Sequence, residues 1–358
     1  MNPAFWKGKR VLLTGHTGFK GSWMALWLRE LEAQLAGFAL PPPTDPSLFD
    51  LARVGGGMRS VIGDLCAAGR FAAVVREERP EIILHMAAQS LVRRSYADPV
   101  GTYATNVMGT VQVLEAARQG AEVRVVLVIT SDKCYENSGS ERGYTEDDPM
   151  GGRDPYSSSK GCAELVTAAY RDSFFAHRTT AVASARAGNV IGGGDFAEDR
   201  LVPDAIRAFL AGKQVLIRNP RAVRPWQHVL EPLGGYLALV EKLWQEPQAY
   251  AGSWNFGPGE LDCVPVSNVV TRLTELWGQR SSWAADTAPH PPESQVLKLD
   301  SSKARARLGW SPRWDLERAL QATVEWYKAY RDGADVRRLA LDQICAYQAM
   351  PAPTGAER

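Results

Sequence analysis

Along the first half of the chain, short continuous apolar runs alternate with longer stretches whose apolar positions recur at helical spacing. "RVLLTG" (10–15) is a β-rich run ending in glycine, and "GSWMALWLRELEAQ" after it carries apolar residues three and four apart. The pair reads as strand, glycine turn and helix. Further strand runs are "AQLAGFAL" (33–40), "RSVIGDL" (59–65), "EIILHMAA" (81–88), "VRVVLVIT" (123–130) and "TTAVASARAGNV" (179–190). Helical patterns lie between most of them, among them "TNVMGTVQVLEAARQG" (105–120) and "SKGCAELVTAAYRDSFF" (159–175). Such alternation predicts parallel βαβ units and a Rossmann-type, doubly wound α/β sheet.

After about residue 190 the pattern loosens into Gly-, Pro- and Arg-rich stretches, "GGGDFAEDR" and "RNPRAVRPWQ". The expected organisation is a dinucleotide-binding domain over 1–186, with a segment near 226–256 returning to it. A smaller, mixed α/β lobe over 187–345 and a tail over 346–358 complete it. "ALPPPTDPS" (39–47) reads as a surface loop.

Composition narrows the partners. The 358 residues include 41 Lys and Arg against 40 Asp and Glu, so no net field points to nucleic acid or an acidic membrane surface. Five scattered cysteines with no CxxC pair argue against a disulfide framework and a zinc knuckle, and fit a reducing cytoplasm. No run approaches the ~20 apolar residues of a membrane span. No His, Cys and acidic cluster has metal-ligand spacing, so no metal is expected. The partner is a small molecule.

Three local patterns carry chemistry. Gly15, Gly18 and Gly21 form GxxGxxG between the first strand and its helix. A dinucleotide pyrophosphate needs both the close backbone approach that glycine permits and free amides at a helix start. The acidic residue that usually meets the ribose is not evident after the second strand, yet residues 33–49 hold no Lys or Arg for a 2′-phosphate; NAD is favoured over NADP. Asp64, after the third strand, is placed either to accept from an adenine amino group or to cap a turn. Tyr156 and Lys160 make the only YxxxK in the chain, four apart and so on one helical face. A tyrosine of ordinary pKa near ~10 becomes a base at neutral pH only beside a cation. Finally "TSDK" places Asp132 and Lys133 side by side where the fifth strand ends.

"TGHTGFKG", "YSSSK" and "ARAGNVIGGGD" together resemble the extended short-chain dehydrogenase/reductase superfamily. Within it "TSDKCYEN", "RPWQHVLEPLGGYL", "NFGP" and "LKLDSSKARARLGW" resemble the nucleotide-sugar 4,6-dehydratases, specifically the subgroup acting on CDP-glucose in deoxysugar biosynthesis. The similarity runs from about residue 5 to about residue 330. It implies catalytic roles for Ser131, Asp132, Lys133, Tyr156 and Lys160. Tyrosinate 156 takes the C4 hydroxyl proton, Lys133 the C5 proton, and Asp132 protonates the departing C6 oxygen. Relatives carry a glutamate at the position of Lys133, so a lysine there requires a neutral amine.

The resemblance also implies a cofactor shell of Gly15, Thr17, Gly18, Phe19, Lys20, Gly21, Asp64, Leu65, Ala87, Ala88, Asn106, Thr130, Tyr156, Lys160 and Arg186. The implied substrate contacts are Ser90, Asn189, Arg200, Leu201, Ile217, Arg218, Arg224 and His228. Of these, Asn189, Arg200 and Arg224 are expected at the pyrophosphate and Arg218 near the base, with Arg221 a bystander. It further implies a homodimer or dimer of dimers through helices at about 102–119 and 156–176. Two rival readings are a nucleotide-sugar 4-epimerase, which has no use for "SDK", and a non-catalytic NAD(H)-binding regulatory module.

Overall fold

In the computed structural model, which describes residues 2–278, 281–288 and 295–351, the alternating runs become a parallel sheet. The strands in chain order are β1 (Arg10–Thr14), β2 (Gln34–Ala39), β3 (Arg59–Ile62), β4 (Ile82–His85), β5 (Val125–Ile129) and β6 (Ala181–Ala187). There follow β7 (Asn189–Ile191), β8 (Val215–Ile217), β9 (Val223–His228), β10 (Gly252–Phe256), β11 (Cys263–Pro265) and β12 (Trp283–Ala285). Seven of them pair in the order β10-β6-β5-β4-β1-β2-β3, every neighbour parallel. This is the Rossmann-type α/β architecture, with the chain order reversing between β1 and β4.

Strand alternation divides the core between the two faces. Leu13, Leu84 and Leu127 face Trp23, Trp27 and Leu237, while Leu12, Ile83 and Val126 face Phe71, Val113 and Leu114. Both faces of the sheet are covered by helices, which is why these strands read as apolar runs and not as alternating ones.

The expected single strand 179–190 is two strands in different sheets. β6 ends at Ala187, Gly188 turns the chain, and β7 pairs with β9, whose other neighbour is β11. A side chain at Gly188 would lie 2.5 Å from Pro225 Cγ, so the break rests on a close approach that nothing in the stretch itself reveals.

The smaller lobe comprises this three-stranded sheet, the β8–β12 pair and the helices Leu201–Leu210, Val266–Trp277 and Leu316–Arg331. The helix Leu230–Gln245 lies against β5 and β6, and β10 closes the edge of the large sheet. The helix Val336–Ala349 runs into the stretch read as a tail, with Tyr347 buried on Trp27 at 5.6 Å; residues 352–358 lie outside the described ones.

Candidate active site

The loops leaving the C-terminal ends of β1, β4, β5 and β6 surround a cleft of about 350 Å³, roofed by the smaller lobe. Ligands of open α/β sheets bind at such a place, where crossover connections part.

At the first loop Gly15 has φ +77°, and a Cβ there would sit 2.7 Å from the Ala87 amide. A Cβ at Gly21 would lie 2.0 Å from the Gly15 carbonyl oxygen, so the helix Phe19–Glu30 rests directly on the turn. Gly18 starts that helix without any side-chain cap, leaving its first amides for an anion. A pyrophosphate fits this cradle on geometry alone. Thr17 donates to the Leu40 carbonyl at 2.8 Å, and His16 bonds Ser60 at 2.7 Å.

The second half of the site stands on β5 and the helix Pro155–Tyr170. Asp154 caps that helix by accepting from the Ser157 amide at 2.9 Å, with Pro155 in the first turn where its missing N–H costs nothing. The first two turns thus present Tyr156 and Lys160, both buried, toward Ser131 and Asp132. Ser131 donates to Asp132 Oδ1 at 2.9 Å, accepts from the Lys133 amide at 3.3 Å and interacts with the Tyr156 phenol. Asp132 is 2 % exposed, and its Oδ2 has no partner among the described residues. Burial raises its pKa against the pull of Lys133, Ser131 and Arg224, so the carboxyl holds its proton more tightly than a free aspartate. Lys133 is half-buried and lines the same cleft.

Burial also pushes the Tyr156 phenol up to about 12, with Ser131 the main opposing influence. The cation that lowers the phenol is Arg200 and not, as expected, Lys160, whose amine donates to the Ile129 carbonyl at 3.3 Å and is itself lowered to about 8 by burial, against Glu164. Lys20 lies opposite, its amine 3.1 Å from the Tyr236 hydroxyl, and burial brings it down to about 7.

From the smaller lobe, Arg200 pairs with Asp195 at 2.8 Å and donates to Ser90 Oγ at 2.9 Å, tying the two halves of the cleft together. Asn189, Leu201, Ile217, Arg218 and Arg224 line the cleft with it, whereas Arg221 is exposed outside. Phe19, Lys20, Ala88, Ser90, Thr130, Ser131, Asp132, Lys133, Tyr156 and Lys160 complete the expected set that the fold brings together.

Other expected contacts are not brought in. Arg186 is buried in a 2.7 Å ion pair with Glu164 and donates to the Tyr135 hydroxyl at 2.6 Å, which leaves it joining β6 to the active-site helix instead of meeting a cofactor. Glu164 also accepts from Ser184 at 2.6 Å and from Thr130. His228 is fully buried between Trp23 and Trp314, a core residue and not a substrate contact. Asn106 does not stand at the start of the helix expected over 105–120, because the chain is already helical from Pro99. It sits in the wide turn Ala104–Met108, accepts from the Gln89 amide at 2.8 Å, and donates to the Gln89 carbonyl and Ser159, so it fixes the β4 loop to the active-site helix. Leu65 is core beside Phe71, Ala87 is the backbone against which Gly15 packs, and Asp64 accepts from the Cys66 amide at 2.8 Å.

The sequence reading missed Arg93, Asp195 and Asp199, all lining the cleft. Their signal was slight: Arg93 follows Ser90 in "SLVRRS", and the two aspartates come after the glycines of "GGGDFAEDR". Among the described residues no group of three or more His, Cys, Asp or Glu is arranged to hold a metal.

A glycine cradle at the switch point facing a Ser, Tyr and Lys set is the arrangement of a short-chain dehydrogenase/reductase of the extended type. The family model for GDP-mannose 4,6-dehydratase matches residues 12–323, and the chain belongs to that family. It is similar to the CDP-glucose 4,6-dehydratase of Salmonella typhimurium, 51% identical over 348 residues, covering 96% of this chain and 97% of the relative. Among solved structures it resembles MoeE5 in complex with UDP-glucuronic acid and NAD, at 26% identity and a TM-score of 0.77, covering 90% of this chain and 100% of that one. The dTDP-glucose 4,6-dehydratase of Bacillus anthracis in complex with NAD shares the fold at 22% identity and a TM-score of 0.75, covering 91% and 99%.

Proposed function

We infer that this chain is a hydro-lyase that converts CDP-glucose to CDP-4-dehydro-6-deoxyglucose and water, with NAD held at the glycine turn. The observation that carries the reading is Asp132, a buried carboxyl with raised pKa and an unpartnered oxygen, next to Ser131 and Tyr156. A 4-epimerase has no step for such an acid. The Salmonella relative named for this activity supports the CDP-glucose assignment.

When bound, NAD accepts hydride from C4 and returns it to C6, so there is no net oxidation. Tyr156 takes the C4 hydroxyl proton; Ser131 holds the phenol, and a cation beside it lowers its pKa from the value burial imposes. The resulting 4-ketone acidifies C5. Lys133 removes the C5 proton, Asp132 delivers its proton to the C6 oxygen as water departs, and C5 regains a proton from Lys133 as hydride reaches C6. Arg200, Asn189 and Arg224 receive the diphosphate.

We also propose a homodimer. Val100, Met108, Leu165 and Phe174, on or beside the two helices expected to pair, are 79 %, 52 %, 60 % and 46 % exposed. No helix among the described residues is long and apolar enough to cross a membrane, and the five cysteines are unpaired, in keeping with a cytoplasmic enzyme.

The test is incubation with CDP-, UDP-, GDP- and dTDP-glucose, followed by the alkali-induced absorbance of a 4-keto-6-deoxy sugar. Product from CDP-glucose is expected; product only from another nucleotide overturns the substrate, and no product from any overturns the activity.

A further inference from the structure

The cleft receives an anionic ligand, yet its outer end carries an aspartate. Asp199 accepts from Arg218 Nη1 at 2.9 Å and lies 3.3 Å from Arg93 Nη1, and its own carbonyl accepts from Arg218 Nη2 at 3.3 Å. Its backbone is held at φ +62°, a conformation that L residues other than Asn and Asp seldom adopt. The other carboxylates of the lining are accounted for. Asp132 is the buried acid, Asp195 pairs with Arg200, and Asp204 pairs with Arg207. Asp199 meets both arginines through Oδ1 and keeps a side chain 35% exposed at the cleft, where Oδ2 is placed to accept from a donor on the ligand.

The order of groups along the cleft says which part of the ligand that is. Tyr156 and Ser131 mark the reacting end. Arg200 lowers the pKa of the Tyr156 phenol and donates to Ser90, so it stands next to the sugar position. Arg218 and Asp199 bond to each other on the smaller-lobe wall, which Leu201, Leu216, Ile217 and Val266 also line with apolar surface. A nucleotide sugar with its glucosyl group at Tyr156 and its diphosphate at Arg200 has its base at this outer end.

We propose that Asp199 and Arg218 together read the base as cytosine, an inference that rests on the nucleotide-sugar reading above. Cytosine offers an exocyclic amino donor at N4 beside acceptors at N3 and O2. The carboxylate of Asp199 accepts from N4, and the guanidinium of Arg218, oriented by Asp199, donates to the acceptors. Uracil and thymine present a carbonyl oxygen at position 4 and a donor at N3, which sets acceptor against acceptor and donor against donor. A matched pair of this kind discriminates by about 10- to 100-fold. Arg93, 3.3 Å away on the other wall of the cleft, holds the carboxylate in place.

Titration calorimetry of the full chain with CDP and with UDP tests this without turnover. The wild type binds CDP at least about tenfold tighter than UDP. Asp199→Asn, whose amide suits either edge and tolerates positive φ, brings the two affinities within about threefold of each other, mainly by weakening CDP. Asp199→Gly removes the carboxylate without backbone strain and has the same effect on the ratio. An unchanged ratio in both variants overturns the assignment, as does a wild type without preference for CDP. Turnover of CDP-glucose by the wild type is measured separately, so a dehydratase that ignores Asp199 is distinguished from a protein that is not a dehydratase.

Discussion

Replacing Asp132 by Asn separates proton donation from geometry. The amide has nearly the carboxyl's volume, and its oxygen still accepts the Ser131 hydroxyl, a bond of 2.9 Å in the native site, so the β5 loop keeps its form. What disappears is the acid itself, whose buried Oδ2 has no partner among the described residues. General acid catalysis is worth about 10²–10⁴-fold. Asp132 is 2 % exposed, which leaves little room for water to substitute as acid, and the expected loss in dehydration is about 1000-fold, or ~4 kcal/mol of transition-state stabilisation. Oxidation at C4 and proton removal at C5 precede the lost step and continue. The assay is therefore double: appearance of the 4-keto-6-deoxy product, and incorporation of solvent deuterium at C5 of recovered CDP-glucose. The account requires product formation to collapse while C5 exchange persists. Asp132→Asn that dehydrates at the wild-type rate would refute the role of this carboxyl.

Other expectations follow from the same geometry. Glu164→Leu strands Arg186 as a buried charge and lowers stability by about 3–5 kcal/mol in urea denaturation, whereas Glu164→Leu with Arg186→Met recovers most of that loss. Gly15→Ala, forced against the Ala87 amide at φ +77°, costs about 1–2 kcal/mol from the backbone alone and weakens NAD binding in a fluorescence titration. Lys160 binds its proton more weakly folded (about 8) than unfolded (10.5), so its contribution makes stability rise as pH climbs from about 8 toward 10.5, and Lys160→Met flattens that rise. Leu165→Glu on the exposed helix face shifts the sedimentation coefficient from dimer to monomer.

How far the sequence could be read depended on how local each feature was. β1, β2, β4 and β5 follow from apolar runs because a sheet buried on both faces demands them, and Tyr156 and Lys160 share a face by helix geometry alone. The β6–β7 break was hidden, since Gly188 interrupts a run that reads as one strand and only Pro225, far along the chain, explains it. His228 and Arg186 carry residue types associated with ligands, but a tryptophan pair and Glu164 absorb them in the core, and neither partner is near in sequence. The bridge from Arg93 to Asp199 spans the two lobes and has no periodic or spacing signal at all.

The most direct measurement uses CDP-glucose carrying deuterium at C4. If the chain is a 4,6-dehydratase, the label appears on the C6 methyl group of the 4-keto-6-deoxy product, with no reduced nicotinamide accumulating. Deuterium that remains at C4 of an epimerised hexose, or that leaves as free reduced cofactor, would contradict the account.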